Sequence, residues 1–159
     1  MTSSLVSKLT EVLGVEERIH RELRRLLSEE RDRMIDLDAE SLYELAMRKE
    51  VLAEEGRLAQ DARLQVSADL AGSLGLPTEG VTLSQICLAL GDAAGTLREA
   101  QSRLVAVVRA VSELSEANQR LGGERLADVQ TTLQLLGRLA PAANIESAGR
   151  SGNLVRRSA

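Results

Sequence analysis

Apolar side chains recur at intervals of three and four along most of this chain. Over residues 4–36, Leu5, Leu9, Val12, Ile19, Leu23, Leu26 and Met34 follow that spacing, which lays them on one face of a helix. Glu16 and Glu30 fill two gaps in the face. The remaining surface carries Glu17, Arg18, Arg21, Glu22, Arg24, Arg25, Glu29, Arg31, Asp32 and Arg33, a mixture of signs that predicts a solvated surface laced with ion pairs. Each such pair stabilises a helix by only about 0.3–0.5 kcal/mol, so packing of the leucine face has to hold this segment in place.

Asp36-Leu37-Asp38 predicts a short connection, with Asp38 as the N-cap of a second helix and Glu40 in its first turn, where the helix dipole favours negative charge. Leu42, Leu45, Lys49, Leu52, Gly56, Ala59, Arg63, Val66 and Leu70 then alternate strictly by three and four. Lys49, Gly56 and Arg63 weaken the middle of this stripe. The two cations can lay their stems along an apolar seam, while a helical Gly costs about 1 kcal/mol against Ala. Glycines and Pro77 between residues 72 and 80 predict a loop. Thr82 and Gln85 have capping-box spacing, so a short helix carrying Leu83, Ile86, Cys87 and Leu90 should begin there.

The third long segment covers residues 92–139. Leu97, Leu104, Val107, Val111, Leu114, Asn118 and Leu121 form one stripe. After Gly122-Gly123 the stripe resumes, shifted by about one residue, as Leu126, Val129, Leu133 and Leu136, which predicts a bend or flexible joint at the glycines. Beyond Pro141 the pattern ends. The fold class is therefore all-α: long antiparallel helices in an elongated hairpin or bundle over residues 1–141, a short helix after the central loop, and a disordered tail over residues 142–159.

Composition narrows the function. The chain has 159 residues, no Phe or Trp, one Tyr, one His and one Cys. Its core must be aliphatic, and it is poor in the groups that catalysis needs. A net charge of −4 gives no footprint for nucleic acid. No apolar run approaches the roughly 20 residues of a membrane span, and no secretory signal opens the chain, so a cytoplasmic protein without stable membrane insertion is expected. Glu17-Arg18-Ile19-His20 has the E-x-x-H form of di-iron bundles, but a second such motif cannot come from one monomer with a single His. Cys87, set among Leu83, Ile86 and Leu90, reads as a buried structural thiol. No catalytic residue, cofactor site or metal site is expected. The apolar face of the last segment admits two readings: ordinary packing against the first two helices, or a docking helix for a partner. Closure on a second copy, as a self-associating structural bundle, is the alternative function.

The chain resembles the FlgN family of flagellar type III export chaperones. The resemblance rests on Asp38-Ala-Glu-Ser-Leu42, Leu45, Arg48-Lys49-Glu50, Leu52, Arg63 and Leu74-Gly75-Leu76, followed by Leu114-Ser-Glu116-Ala-Asn118-Gln-Arg-Leu121. It implies a chaperone without ATPase activity that binds hook-associated proteins of the FlgK and FlgL type, prevents their premature assembly and delivers them to the export apparatus. It also implies client capture by the C-terminal region, here Asn118, Leu121, Leu126, Val129, Leu133 and Leu136. Many members carry a tyrosine four residues before a tail glycine. Here Gly149 matches that glycine, and Ile145 stands at the tyrosine position.

Overall fold

The turn between the first two long segments is built from two residues. Leu37 adopts left-handed backbone angles (φ 55°, ψ 33°), and the Asp38 N–H reaches back to the Arg33 carbonyl at 3.0 Å, closing the first helix in a Schellman-type end. Asp38 also opens the next helix: one carboxylate oxygen accepts the Ser41 N–H at 3.1 Å and the other accepts the Ser41 hydroxyl at 2.6 Å. The Ser41 hydroxyl and N–H bonds hold the Asp38 carboxyl below its ordinary value. With no spare residues in the connection, the two helices fold back on each other as an antiparallel hairpin.

The structure, a computed structural model, describes residues 1–155, with side chains through Arg138. Among them are α1 (Thr2–Asp36), α2 (Ala39–Ser73), α3 (Leu83–Leu90) and α4 (Gly95–Val155), with a 3-10 turn at Gly91–Ala94 before α4. No strand occurs among the described residues. The chain divides into two units, Met1–Asn118 and Gln119–Ala159. The expected tail, including Ile145 and Gly149, lies outside the residues described with side chains.

In the first unit, every member of the α2 stripe from Leu42 to Leu70 is buried or half-buried, whereas the off-stripe residues between 43 and 65 are exposed. The seam with α1 is not purely apolar. Arg63 Nε donates to both carboxylate oxygens of Glu16, at 3.0 and 3.1 Å, and Lys49 donates to Glu30. Glu16 and Glu30 lie two heptads apart going forward on α1. Arg63 and Lys49 lie two heptads apart going back on α2. This match fixes the register of the hairpin, because a slip by one turn would strand both carboxylates against apolar residues.

Gly56 lies midway between the two ion pairs. A Cβ built there meets only Ile19 Cγ2, at 3.7 Å, which is ordinary contact. Gly56→Ala should therefore stabilise the first unit by about 1 kcal/mol through helix propensity alone. A urea midpoint that rises with an unchanged slope would show this. A fall would mean that the backbone at Gly56 does something an alanine cannot.

α3 starts where the capping box predicts. The Thr82 N–H donates to Gln85 Oε1 at 2.8 Å, and the Gln85 N–H donates to Thr82 Oγ1 at 3.2 Å. This short helix delivers Ile86 and Cys87 to a core shared with Leu9 and Leu13 of α1, Val66 and Leu70 of α2, and Ala94, Leu97, Ala100, Leu104 and Val107. The core is aliphatic, and Tyr43 is 70% exposed. Arg98 Nη2 donates to the Cys87 carbonyl at 3.1 Å and ties α4 to α3. Leu97 shares a core with the N-terminal half of α1, and Asn118 reaches Leu27 farther along it. Within the first unit α4 therefore runs parallel to α1 and antiparallel to α2.

Candidate functional site

Of the six residues expected to contact a client, Asn118 belongs to the first unit and the other five to the second. Asn118 is 5% exposed. Its Nδ2 donates to the Leu27 carbonyl at 2.7 Å and to Glu30 Oε2 at 3.0 Å, while Glu30 accepts Lys49 through its other oxygen. One polar network thus joins α1, α2 and α4. A buried Asn at such a position enforces register at some cost in stability, and the Asn118 Oδ1 atom, buried without a partner, is part of that cost.

Among the described residues the second unit is a single helix, the C-terminal part of α4. Gly122 and Gly123, expected as a joint, are helical residues of α4. Leu121 is half-buried, whereas Leu126 (59%), Val129 (43%), Leu133 (61%) and Leu136 (56%) are exposed. These four follow i, i+3, i+7, i+10 spacing and share one face. Several residues weaken the helix beneath them. Gly122, Gly123 and Gly137 each cost about 1 kcal/mol relative to Ala. Thr131 and Thr132 turn their hydroxyls back onto the carbonyls of Ala127 and Asp128, at 2.9 and 3.0 Å, which slightly weakens a helix. Arg125 and Asp128 form an exposed pair at 3.8 Å. A helix of this make-up, with no packing partner inside its own unit among the described residues, is marginal in water. It gains most from an apolar surface brought by something else.

Partial burial pushes the Glu17 carboxyl up, but bonds from Arg103 and Arg21 outweigh it and hold the group below its usual value. His20 turns its Nδ1 to the Glu16 carbonyl at 2.8 Å. Among the described residues no group of three or more His, Cys, Asp or Glu side chains is placed to hold a metal ion. Burial pushes the Cys87 thiol up, which disfavours the nucleophilic thiolate. No described helix is long and apolar enough to cross a membrane.

The family model for FlgN protein matches residues 1–145. The chain belongs to the FlgN family. Comparison with curated proteins and with solved structures finds no match. FlgN is a chaperone family, and membership supports a role in flagellar export. In this FlgN-family chain the matched span includes the Glu16–Arg63 and Glu30–Lys49 layers, which the stripes alone did not reveal. Their signal was present: opposite charges at core-stripe positions, stepping by equal heptads in opposite directions on the two arms of a hairpin. A second strip on α2, formed by exposed Met47, Val51 and Leu58, was also hidden, because the stronger seam stripe masks it.

Proposed function

We propose that this chain is a cytoplasmic flagellar export chaperone that binds the helical termini of hook-associated proteins of the FlgK and FlgL type, prevents their premature assembly and delivers them to the export apparatus. The observation that carries this is the exposed face of Leu126, Val129, Leu133 and Leu136, which has no partner within its own unit among the described residues. Client contact is assigned to these four positions. Asn118 is engaged with α1 and Leu121 is half-buried, so the proposed contact rests on the four exposed positions.

Recognition proceeds by helix-to-helix packing. The client's amphipathic terminus lays its own apolar ridge along these anchors. Completing the burial of each half-exposed aliphatic side chain contributes roughly 1 kcal/mol, which association and helix-ordering costs reduce. The outcome is reversible capping, as a carrier that must release its cargo requires. Nothing in this step consumes a nucleotide or forms a covalent bond. The test is titration of the full chain with a FlgK C-terminal fragment, followed by calorimetry. A complex at or below tens of micromolar is expected. Absence of binding with both partners competent would contradict the proposal.

A further inference from the structure

Within the first unit α2 and α4 are held together at two levels. At one, Val66 and Leu70 of α2 share the aliphatic core with Leu97 and Leu104 of α4. At the other, Lys49 of α2 and Asn118 of α4 donate to the two oxygens of Glu30. Between these levels α1, α2 and α4 line a cleft of about 540 Å³, a size ordinary for small-molecule sites. α2 brings little side-chain volume to it, because Ala53 and Gly56 are among its lining residues. Val105 and Val108 of α4 also line it and stay 50% and 40% exposed. Ile19, Leu23 and Leu52, all half-buried, complete the aliphatic walls.

The polar side chains gather toward one end. Glu16 and His20 of α1 and Gln60 and Arg63 of α2 line it there. Glu16 is already matched, since both of its oxygens accept Arg63 Nε. His20 donates through Nδ1 to the Glu16 carbonyl, which can only accept. Arg57, the other cation at the cleft, is held by Glu54 and Asp61 at 2.7 and 2.9 Å. Among the described residues neither the two terminal nitrogens of Arg63 nor the Gln60 amide makes a hydrogen bond. The Arg63 side chain is 24% exposed, so its unused edge is open to a ligand.

We infer that this cleft is a binding site for an alkyl carboxylate of medium chain length. The terminal nitrogens of Arg63 and the Gln60 amide hold the carboxylate, and the chain lies between α2 and α4 toward Gly56 and Ala53. The unused edge of a guanidinium presents two parallel N–H groups, the fork that fits a carboxylate. Arg63 and Ala53 lie about 15 Å apart along the helix, room for an extended chain. An alkyl chain suits the walls better than a peptide does. Peptide N–H and C=O groups would face helices whose own backbone groups are already paired, and would be buried without partners. The site uses none of the residues assigned to the client and does not rest on that reading.

Calorimetric titration of the full chain with octanoate provides the test, with octanol and a short aliphatic peptide as comparisons. Saturable one-to-one binding of octanoate with a Kd at or below about 1 mM is expected. Octanol, which lacks the charge, should bind on the order of tenfold more weakly. Val108→Trp and, separately, Ala53→Leu fill the aliphatic end and should each weaken octanoate on the order of tenfold, with helicity by circular dichroism retained. Methyl NMR should show octanoate shifting Ile19, Val105 and Val108 and leaving Leu126 and Leu133 in place. Absence of saturable binding overturns the inference, as does octanol binding as tightly as octanoate. A preference for the peptide, or shifts centred on Leu126 and Leu133, overturns it too, because the ligand class or the site would then be wrong.

Discussion

Replacing Arg63 with methionine should destabilise the first unit by about 2–3 kcal/mol, equivalent to a drop in melting temperature of roughly 10 °C. Glu16 is 5% exposed, and Arg63 is the side chain that satisfies both of its oxygens. Removing the cation leaves a carboxylate in an apolar seam. Breaking a fully buried pair costs about 3–5 kcal/mol. The expected value is lower because the Arg63 side chain is 24% exposed and the groove beside it admits water to Glu16. The double variant Glu16→Leu with Arg63→Met should recover to within about 1 kcal/mol of the original, since a well-packed apolar pair replaces a buried ion pair at little net cost. Chemical denaturation of the single and double variants measures both. If the single change cost under about 0.5 kcal/mol, Glu16 would not depend on Arg63, and the register argument for the hairpin would fail with it.

Leu133→Asp should reduce affinity for a FlgK C-terminal fragment at least a hundredfold while moving the melting temperature by no more than about 2 °C. The substitution removes an anchor and introduces a charge that binding would bury, a combined loss of about 3 kcal/mol or more. The same site is 61% exposed in the free chain, where an aspartate meets water and disturbs no packing within its unit. Calorimetric titration and thermal melting of one variant therefore separate docking from core packing. A steep loss of stability with affinity retained would make this helix part of the folded core and leave the client without a site.

The first three helices and their ends were legible because the signals are local. The three-four spacing, the Asp38 cap and the Thr82–Gln85 box each act within a few residues of sequence. The aliphatic core was legible from the absence of aromatic alternatives. The polar layers were not read, because their partners come from different helices. Glu16 and Glu30 look like interruptions in α1, and Lys49 and Arg63 like blemishes in α2, until the hairpin brings them together. Asn118 stood in the stripe as a polar member, and its partners Leu27 and Glu30 are 91 and 88 residues away. No local pattern could identify them. The exposed leucines after Gly123 were legible as a face. Whether another element of the chain covers such a face is a tertiary property, and a periodicity cannot report it.

Amide hydrogen exchange on the full chain, free and saturated with a FlgK C-terminal fragment, distinguishes a shielding helix from a bystander. Residues 126–136 should exchange fast in the free chain and slow by at least tenfold in the complex, with α1 to α3 unchanged. Protection confined to the first unit, or a segment 126–136 already fully protected without client, would contradict the assignment of that face to a client's terminus.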